Sequence, residues 1–515
     1  MRIRLWALLV CATWCLTANS ATVTVTGFGA VGDGLHDDTG AIQAAIDALE
    51  TQGGGTLVVP PGTYLLNSYS PSPHPWFFYN LRVGSNVTVQ GSQGAKFLQG
   101  PKGRAPMPQG ASQVRNTVLA FGTEEYIRDT FSNPAYNGGF YPLRATHVND
   151  LSLTLSNSAQ VSNFHVGDFV AIYSSSPADH IVPSEYTQIT SVSPTGILGL
   201  ASPLARSFAN PIIANVTSLA TVAVGVNNLT VQGAEPVAIN EVFEFEADSN
   251  TFISDTSTGG GNTYGLNMNA IRWCTFTNNV FTSTAQANSL ELPQNNSQNV
   301  VFASNTFNAS AVGFGEYAAH WSLTQNTFSL HSTPDQGAGL SFGGLDVIFS
   351  YNTVQASASA MMPLVADYLG LNNEVQYAGQ IRILSNVFNC TASNANCLQV
   401  VVPDTIVSNN QFSLNGSGQV ILVQGPLPET VQIQNNSMYV QNGLGIVLNT
   451  PGSDHSVITC NIVAGNGQIG IYLTTSQATN SSQTLIAGNS IIGFTAPINR
   501  FGVVTSSTGP LCQEQ

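Results

Sequence analysis

Charged residues are scarce in this 515-residue chain: Asp, Glu, Lys and Arg together make up 8% of it, against about 25% in an average soluble domain. Lys96 and Lys102 are the only lysines, and 28 acidic residues against 13 basic ones leave a net charge of −15. A nucleic-acid partner requires a basic surface, so none is expected. A hydrophobic fraction of 43% argues against an intrinsically disordered chain.

Apolar runs long enough to cross a bilayer are also missing. The N-terminal stretch MRIRLWALLVCATWCLTANSA has two arginines, a short apolar segment and then small residues, which is the pattern of a secretory signal peptide. We predict that residues 1–21 form this signal, with cleavage near Ser20 or Ala21. The mature protein is then secreted, either to the periplasm or to the cell exterior, and has no membrane partner.

Cysteine is infrequent, and five cysteines remain after removal of the predicted signal. Export permits disulfide formation, and Cys390 and Cys397 flank a short polar loop, so we predict that these two form a disulfide. Because five is an odd number, at least one thiol stays outside any intrachain bond. The five cysteines are Cys274, Cys390, Cys397, Cys460 and Cys512.

A unit of alternating apolar and polar residues repeats through the second half of the chain. It ends in Asn, any residue, and then Phe or another apolar residue, as in RWCTFTNNVF, NVVFASNTF and HWSLTQNTF. The alternation is typical of strands, and a repeat of roughly 25 residues indicates a solenoid. An antiparallel sandwich would need hairpin turns about every 8–12 residues, and no such rhythm occurs. The sequence therefore predicts an all-β fold, a parallel β-helix.

The asparagines of these units occupy equivalent positions, 21 to 34 residues apart. Stacked in successive coils, their amides can bond the coil above and the coil below, as asparagines do in other stacked sheets. The apolar residue two places later would then stack inside the core. The aligned asparagines are Asn250, Asn279, Asn305, Asn326, Asn352, Asn386, Asn410, Asn436, Asn461 and Asn489.

The stretch GFGAVGDGLHDDTGAIQAAIDAL, residues 27–49, contains three Asp within six positions and then a helical pattern. Asp residues at turns and helix starts commonly accept hydrogen bonds from the backbone. The end of a β-helix exposes an open core and unpaired strands, so we predict that the helix caps the first coil and that the Asp cluster is structural. The apolar residues of the helix share one face: Ala41, Ile42, Ala45, Ile46 and Leu49.

Together with GGGTLVVPPGTYLL at residues 53–66, this stretch resembles the N-terminal signature of the pectate-lyase-3 superfamily. That group includes rhamnogalacturonase- and epimerase-like β-helix proteins, relatives of two glycoside hydrolase families, and phage tailspike depolymerases. The resemblance implies a right-handed coil and a polysaccharide groove along one parallel sheet. The motifs of polygalacturonases and of alginate epimerases are not intact, so neither activity is implied. QIRIL around Arg382 is only weakly similar to one of the polygalacturonase motifs.

These observations divide the chain into five parts. Residues 1–21 are the signal peptide, and residues 22–66 form the N-terminal cap and the first coils. We predict an irregular loop insertion over residues 67–145 and a small β insertion subdomain over residues 146–215. Residues 216–515 are predicted to form the parallel β-helix with its asparagine ladder.

Candidate site residues are concentrated between residues 235 and 346. Neighbouring strands lie about 4.8 Å apart, so successive coils can bring such side chains within catalytic reach. We expect Glu291, between two inward leucines, and Glu316, one coil later, to be catalytic, with Glu241 as the third candidate. The residues expected to bind substrate are Arg272, Tyr317, His320 and Asp346.

Paired carboxyls are what glycoside hydrolysis requires, and a strongly acidic protein disfavours a polyuronate substrate. We therefore predict a glycoside hydrolase that acts on a polysaccharide, without a metal or other cofactor. A polysaccharide lyase, with Ca²⁺ or Arg to neutralise a uronate and a base to remove its proton, is the first alternative. A non-catalytic surface protein that binds glycans is the second.

Overall fold

The computed structural model describes residues 21–505, apart from residues 72–76, 107, 110–113, 123–138, 175–183, 256–266, 270, 284–288, 295–296, 310, 315–317, 331–338, 357–363, 366–378, 392–395, 425–429, 450–455, 475–483 and 501–502. The predicted signal peptide therefore lies outside the described residues, except for Ala21. Among the described residues, none of the helices has both the length and the apolar character needed to cross a membrane.

Three long sheets, built from strands that the chain visits in turn, form a parallel β-helix. One complete coil runs through Thr221–Asn227, Thr230–Gly233 and Glu235–Asn240. Strands of successive coils pair in parallel, as Thr230–Gly233 does with Thr251–Ser254. The end strands of sheet 3, Ser70–Pro71 and Val503–Thr505, pair antiparallel with their neighbours. The predicted fold class, all-β with a parallel β-helix, is confirmed.

The strands of the three sheets are as follows. Sheet 1 contains Ala21–Thr24, Gly55–Val59, Val87–Gly91, Thr221–Asn227, Val242–Asp248, Arg272–Thr277, Gln298–Ala303, Ala319–Thr324, Leu345–Ser350, Gly379–Leu384, Thr405–Ser408, Val431–Gln434, Val457–Thr459 and Leu485–Ala487. Sheet 2 contains Asp33–Asp37, Gly62–Leu66, Ala95–Gln99, Thr230–Gly233, Thr251–Ser254, Val280–Ser283, Thr306–Ala309, Thr327–Leu330, Thr353–Ala356, Val387–Cys390, Gln411–Leu414, Ser437–Val440, Ile462–Gly465 and Ser490–Ile492. Sheet 3 contains Ser70–Pro71, Phe77–Val83, Arg115–Gly122, Glu235–Asn240, Asn267–Asn269, Ser289–Gln294, Ala311–Phe314, Leu340–Phe342, Leu364–Val365, Asn396–Val400, Gln419–Gln424, Leu444–Asn449, Ile469–Leu473, Ala496–Arg500 and Val503–Thr505.

The asparagine ladder runs through the turn between sheet 1 and sheet 2. The backbone N–H and the side-chain amide of Asn279 both donate to Oδ1 of Asn305, at 2.9 and 3.0 Å. The same amide also donates to the backbone carbonyl of Ala247, at 2.9 Å. The ladder asparagines from Asn250 to Asn489 are buried, so these bonds satisfy polar groups that water does not reach. The predicted ladder is confirmed.

Aromatic rings stack beside the ladder, two residues after each asparagine in the coils that carry Phe there. Phe281 and Phe307 stack with their ring centroids 4.9 Å apart, and Phe307 and Phe328 with theirs 4.8 Å apart. The rings of successive coils form one column from Phe252 to Phe328 and a second pair at Phe388 and Phe412, with Val354 between them. This confirms the predicted role of the apolar residue in the repeat.

The helix Thr39–Thr51 covers the first coil, with Ile42, Ala45, Ile46 and Leu49 buried. The carboxylate of Asp38 accepts hydrogen bonds from the backbone N–H groups of Val31, at 2.6 Å, and Gly32, at 3.1 Å. It thus holds the loop that precedes the helix rather than capping the helix itself.

Asp37 joins the start of this helix to the strand Gly62–Leu66. Its Oδ1 accepts from the N–H of Thr39, at 3.1 Å, and from the N–H of Asn67, at 3.0 Å. Burial raises the pKa of Asp37, but hydrogen bonds from Ser68, Thr39 and Asn67 outweigh that effect and hold it below its ordinary value. The acidic cluster therefore has the structural role that its sequence context predicts. The remaining helices are single 3-10 segments at Val25–Phe28, Pro101–Gly103 and Ser158–Asn163.

The segment of residues 67–145 is not an irregular insertion throughout, contrary to the sequence-based prediction. Its strands Phe77–Val83, Val87–Gly91, Ala95–Gln99 and Arg115–Gly122 form coils of the β-helix. Arg115–Gly122 is buried along its whole length and so shows no alternation of exposure, whereas Val87–Gly91 and Ala95–Gln99 alternate between buried and half-buried positions.

A six-stranded antiparallel sheet interrupts the coil where the chain passes from sheet 3 to sheet 1. It occupies residues 140–215, close to the segment 146–215 that the sequence indicated, and Thr221–Asn227 then pairs directly with Val87–Gly91 across the interruption. We call it the insertion subdomain. Its strands are Phe140–Pro142, Ser152–Thr154, Phe169–Tyr173, Ser184–Val192, Ile197–Leu200 and Ile212–Asn215.

Cys390 and Cys397 form a disulfide, as predicted. Cys390 ends a strand of sheet 2 and Cys397 lies in the next strand of sheet 3, so the bond closes the turn between them. Cys274 is a buried free thiol, and burial raises its pKa to about 12. It therefore packs as a core residue rather than acting as a nucleophile.

Candidate functional site on sheet 1

A row of left-handed residues runs along the outer surface of sheet 1. In each of these coils, the residue two positions after the left-handed one pairs with the equivalent residue of the next strand. Positive φ is uncommon outside glycine, so its recurrence in consecutive coils shows that the coil geometry imposes it. The residues of the row, with φ between 52° and 63°, are Ala223, Glu244, Trp273, Asn299, His320, Asp346, Gln380 and Asp404.

The insertion subdomain covers the first part of this row. The rings of Phe169 and Phe243 lie 4.4 Å apart, and Trp273 packs against the same buried cluster. Further along, a guanidinium N–H of Arg206 donates to the carbonyl of Ala318, at 3.0 Å. The subdomain therefore reaches as far as the coil that begins with Ala319–Thr324.

A buried polar network fastens the subdomain to sheet 1. Arg272 is 3% exposed, donates to Ser202 Oγ at 2.6 Å and also bonds Gln298 Oε1. Burial lowers the pKa of Arg272 to about 10, and the charge of Glu185 opposes the shift. Burial likewise raises the pKa of Glu185, against the attraction of Arg206 and Arg272.

Beyond the subdomain, three charged or titratable side chains from consecutive coils contact one another. His320 Nδ1 lies 2.9 Å from Asp346 Oδ2, and the guanidinium of Arg382 donates to Asp346 Oδ1. The side chains of His320, Asp346 and Arg382 are 38%, 31% and 40% exposed, so solvent reaches all three. The hydrogen bond from His320 holds the pKa of Asp346 below its ordinary value, burial opposes the shift, and the charge of Arg382 adds to it.

This cluster borders a surface cavity of about 280 Å³, which we call the sheet 1 pocket. Four coils contribute to it, because Arg382 pairs with Ile406 and Ile406 pairs with Gln432. The hydroxyl of Thr430 donates to Asp404 Oδ1 within the pocket. The residues that line the pocket are Asp346, Gln380, Arg382, Asp404, Thr405, Ile406, Thr430 and Gln432.

Two of the residues predicted from the sequence to bind substrate, His320 and Asp346, thus lie together at this pocket. Arg272 does not join them, because the insertion subdomain buries it. Glu241 is also buried, at 4% exposure, in the turn between Glu235–Asn240 and Val242–Asp248. Neither residue is accessible to a polymer in this structure.

Of the predicted catalytic pair, Glu291 alone lies among the described residues, and it belongs to sheet 3. The backbone of Glu291 lies in Ser289–Gln294 and pairs with Gly313 of the next coil. Glu316 and Tyr317 lie outside the described residues.

Asp346 is the one pocket-lining residue that the sequence analysis named as a site residue, and the charged lining residues that it missed are Arg382 and Asp404. Both occupy repeat positions that were identifiable: Asp404 stands in the same left-handed row as Asp346, and Arg382 follows that row by two residues. Across the part of the chain that the structure describes, His, Cys, Asp and Glu side chains form no group of three that could hold a metal ion.

Residues 22–73 match the family described as "Rhamnogalacturonase A/epimerase, pectate lyase-like". Over 69 residues the chain is 62% identical to mannuronan C5-epimerase AlgE1 of Azotobacter vinelandii, which is 13% of this chain and 5% of the epimerase. Over 68 residues it is 62% identical to alginate lyase 7 of the same organism, which is 13% of this chain and 8% of the lyase. The chain thus matches less than a tenth of the length of these curated relatives.

Two solved structures resemble the whole fold at low sequence identity. The surface adhesin PfbA of Streptococcus pneumoniae superposes with a TM-score of 0.52 at 15% identity, over 88% of this chain and 92% of the adhesin. The tailspike gp61 of Pseudomonas phage phi297 superposes with a TM-score of 0.55 at 12% identity, over 88% of this chain and 80% of the tailspike. With its asparagine ladder and its capped first coil, the chain is a parallel β-helix protein, and its residues 22–73 match the pectate lyase-like family.

Proposed function

We propose that this protein is a carbohydrate-active enzyme that binds an extended polysaccharide against the outer surface of the β-helix and hydrolyses its glycosidic bonds. The observation that carries the proposal is the exposed contact among His320, Asp346 and Arg382 on consecutive coils. Coils repeat about every 4.8 Å, so such a surface offers a regular array of hydrogen-bonding groups to a polymer that is itself regular.

The relatives support a polysaccharide as the partner. The matched family is described as rhamnogalacturonase- and epimerase-like, and the relatives are named for mannuronan epimerisation and for alginate cleavage. Since these similarities cover a small part of the chain, the activity and substrate of this protein are our proposal.

Glu291 and Glu316 are the carboxyls that we assign to the chemistry. Glu291 pairs with Gly313 of the next coil, and Glu316 follows Gly313 by three residues in the sequence. Hydrolysis requires two carboxyls about 5–5.5 Å apart for retention of configuration or about 6.5–9.5 Å apart for inversion. In our assignment Glu316 protonates the leaving oxygen and Glu291 is the base or nucleophile, with no metal or other cofactor.

Eliminative cleavage of a uronate polymer is the second candidate, and the half-exposed Arg382 beside His320 is the observation in its favour. A lyase needs a cation to neutralise the uronate carboxylate, either Arg or a bound Ca²⁺, and a base to remove the C5 proton. Against this candidate, Asp346 already pairs with Arg382, and the chain carries a net charge of −15.

A screen of plant, algal and bacterial polysaccharides with product analysis tests the proposal. Hydrolysis releases reducing ends without an unsaturated, ultraviolet-absorbing product, and it continues in the presence of a chelator. An unsaturated product would establish the lyase instead. Binding without any product would leave a non-catalytic glycan-binding protein, as the adhesin-like fold also allows.

We also propose that the protein is secreted, since an extended polysaccharide substrate would be encountered outside the cytoplasm. The support is the signal-like sequence of residues 1–21. Expression of the full chain followed by cell fractionation and N-terminal sequencing tests it: secretion predicts a mature chain that begins near Ala21, and a cytoplasmic chain that retains Met1 would contradict it.

A further inference from the structure

We infer that the sheet 1 pocket is a binding subsite for uncharged pyranose units of the polysaccharide. The inference rests on the proposed function and adds to it a location and a substrate class. It concerns binding rather than bond cleavage, which we assign to Glu291 and Glu316.

The pocket floor is a grid of two rows of side chains. The first row consists of the left-handed residues Asp346, Gln380 and Asp404, followed in the next coil by Thr430. The second row consists of residues that pair from coil to coil, namely Arg382, Ile406 and Gln432. Gln380, Asp404 and Gln432 are exposed. The grid therefore presents carboxylate, amide and guanidinium groups outward from a rigid backbone.

These groups match the chemistry of a sugar ring. Carboxylates and amides accept or donate hydrogen bonds to hydroxyl groups, and a bond to a charged group is stronger than one between neutral groups. The half-buried Ile406 adds an apolar surface in the middle of the pocket, against which the C–H face of a pyranose can pack. Ligand pockets typically combine an apolar lining with a few polar groups of this kind.

The charges favour an uncharged sugar over a uronate. Among the pocket-lining residues that the structure describes, Arg382 is the only basic one, and its charge is already paired with Asp346. Asp404 then leaves an uncompensated negative charge, which would repel a sugar carboxylate. An uncharged ring meets no such penalty.

The geometry also sets the direction of the polymer. Asp346 and Asp404 stand two coils apart, about 10 Å at roughly 4.8 Å per coil, so a glycan that contacts both must run along the axis of the β-helix. At one end the insertion subdomain, which reaches the carbonyl of Ala318, stands beside the open coils. The pocket thus begins where the cover of the subdomain ends.

Isothermal titration of the full chain with neutral hexasaccharides of glucose, xylose and mannose, and with a mannuronate oligosaccharide, tests the inference. The variants are Asp404→Asn and Gln432→Ala. Asn tolerates the left-handed backbone of position 404, so the first variant removes the charge without disturbing the coil. The control is Glu246→Gln, an exposed carboxylate in the same row as Arg382 but five coils away, about 24 Å at roughly 4.8 Å per coil.

We expect a neutral hexasaccharide to bind, the two pocket variants to weaken that binding at least about tenfold, and Glu246→Gln to leave it unchanged. Unchanged binding in both pocket variants overturns the inference even if the wild-type protein binds and cleaves a glycan. Binding of the mannuronate oligosaccharide in preference to all three neutral ones overturns the substrate class. Absence of binding to any neutral hexasaccharide at millimolar concentration overturns the inference as well. The proposed hydrolysis fails separately, if the polysaccharide screen yields no product or only an unsaturated one.

Discussion

The backbone N–H and the side-chain amide of Asn326 both donate to Oδ1 of Asn352, at 2.8 and 3.1 Å. One amide oxygen thus satisfies two donors of the coil before it, and the same arrangement recurs from Asn250 to Asn489. A left-handed residue precedes each ladder asparagine, as Gln325 and Tyr351 do here, and turns the chain so that the asparagine points inward.

Replacement of Asn326 by Ala should lower the free energy of unfolding by roughly 1–3 kcal/mol, because the buried groups of both neighbouring coils lose a partner. Thermal or denaturant unfolding measures the change. Gln411→Ala, at an exposed strand position, is the control and should be close to neutral. Equal stability of the Asn326 and Gln411 variants would show that the ladder bonds contribute little.

The capping helix gives a second prediction. Ile46 is fully buried against the first coil, so Ile46→Asp should expose that coil and destabilise the whole chain by several kcal/mol, as expected for a buried charge without a partner. Asp47→Asn, on the exposed side of the same helix, should leave the melting temperature nearly unchanged. A normal melting temperature for Ile46→Asp would mean that the helix is not part of the cooperative fold.

Asp38→Ala should loosen the loop at Val31 yet cost little activity once the protein is folded, and a folded but inactive Asp38→Ala would give the acidic cluster a catalytic role instead.

The assigned catalytic pair gives a third prediction. Glu291→Gln and Glu316→Gln should each keep the fold and reduce turnover at least about a hundredfold, the scale of general acid–base catalysis. Turnover is measured on whichever polysaccharide the screen identifies, with circular dichroism to verify folding. Near-wild-type rates in both variants would move the search to the sheet 1 side chains, first to Asp346.

The pKa of Asp346 gives a fourth prediction, in the pH dependence of stability. A carboxyl whose pKa is lowered by folding stabilises the native state above its unfolded pKa of about 3.9, and this contribution disappears as the pH falls through the lower native value. The melting temperature of the wild-type protein should therefore exceed that of Asp346→Asn at neutral pH, and this difference should shrink below about pH 4. Asn accepts the left-handed backbone at this position. A difference in melting temperature that stays constant from neutral pH to acid would contradict the ion pairing.

Arg272 gives a fifth prediction, which separates support of the fold from substrate binding. Arg272→Ala removes the bonds to Ser202 and Gln298 and one of the charges that offset the burial of Glu185, and leaving buried polar groups without a partner typically costs about 1–3 kcal/mol each. We expect lower stability and faster proteolysis within residues 140–215, with KM unchanged in the fraction that remains folded. An increase in KM without loss of stability would instead show that Arg272 contacts the substrate.

The sequence by itself determined the coil. The recurrence of Asn, with an apolar residue two places later, specifies a buried turn and a core position in each repeat. Both depend only on the order of residues within one repeat. The amphipathic helix at residues 39–51 and the pairing of Cys390 with Cys397 follow from short-range patterns as well. These features depend on neighbours in sequence or on the same position one coil away, so the pattern along the chain reveals them.

Only the tertiary structure decided which repeat positions face solvent. Arg272 begins a strand of sheet 1 and Glu241 lies in the turn before another, yet both are buried. Arg272 is buried by contacts with the insertion subdomain, between residues 185 and 206, more than fifty residues away in sequence. Asp346 and Arg382 meet because 36 residues of chain return the coil to the same place, a register that depends on every turn in between. Burial and cross-coil contact are properties of the assembled solenoid, whereas the alternation of residue types records only the local strand.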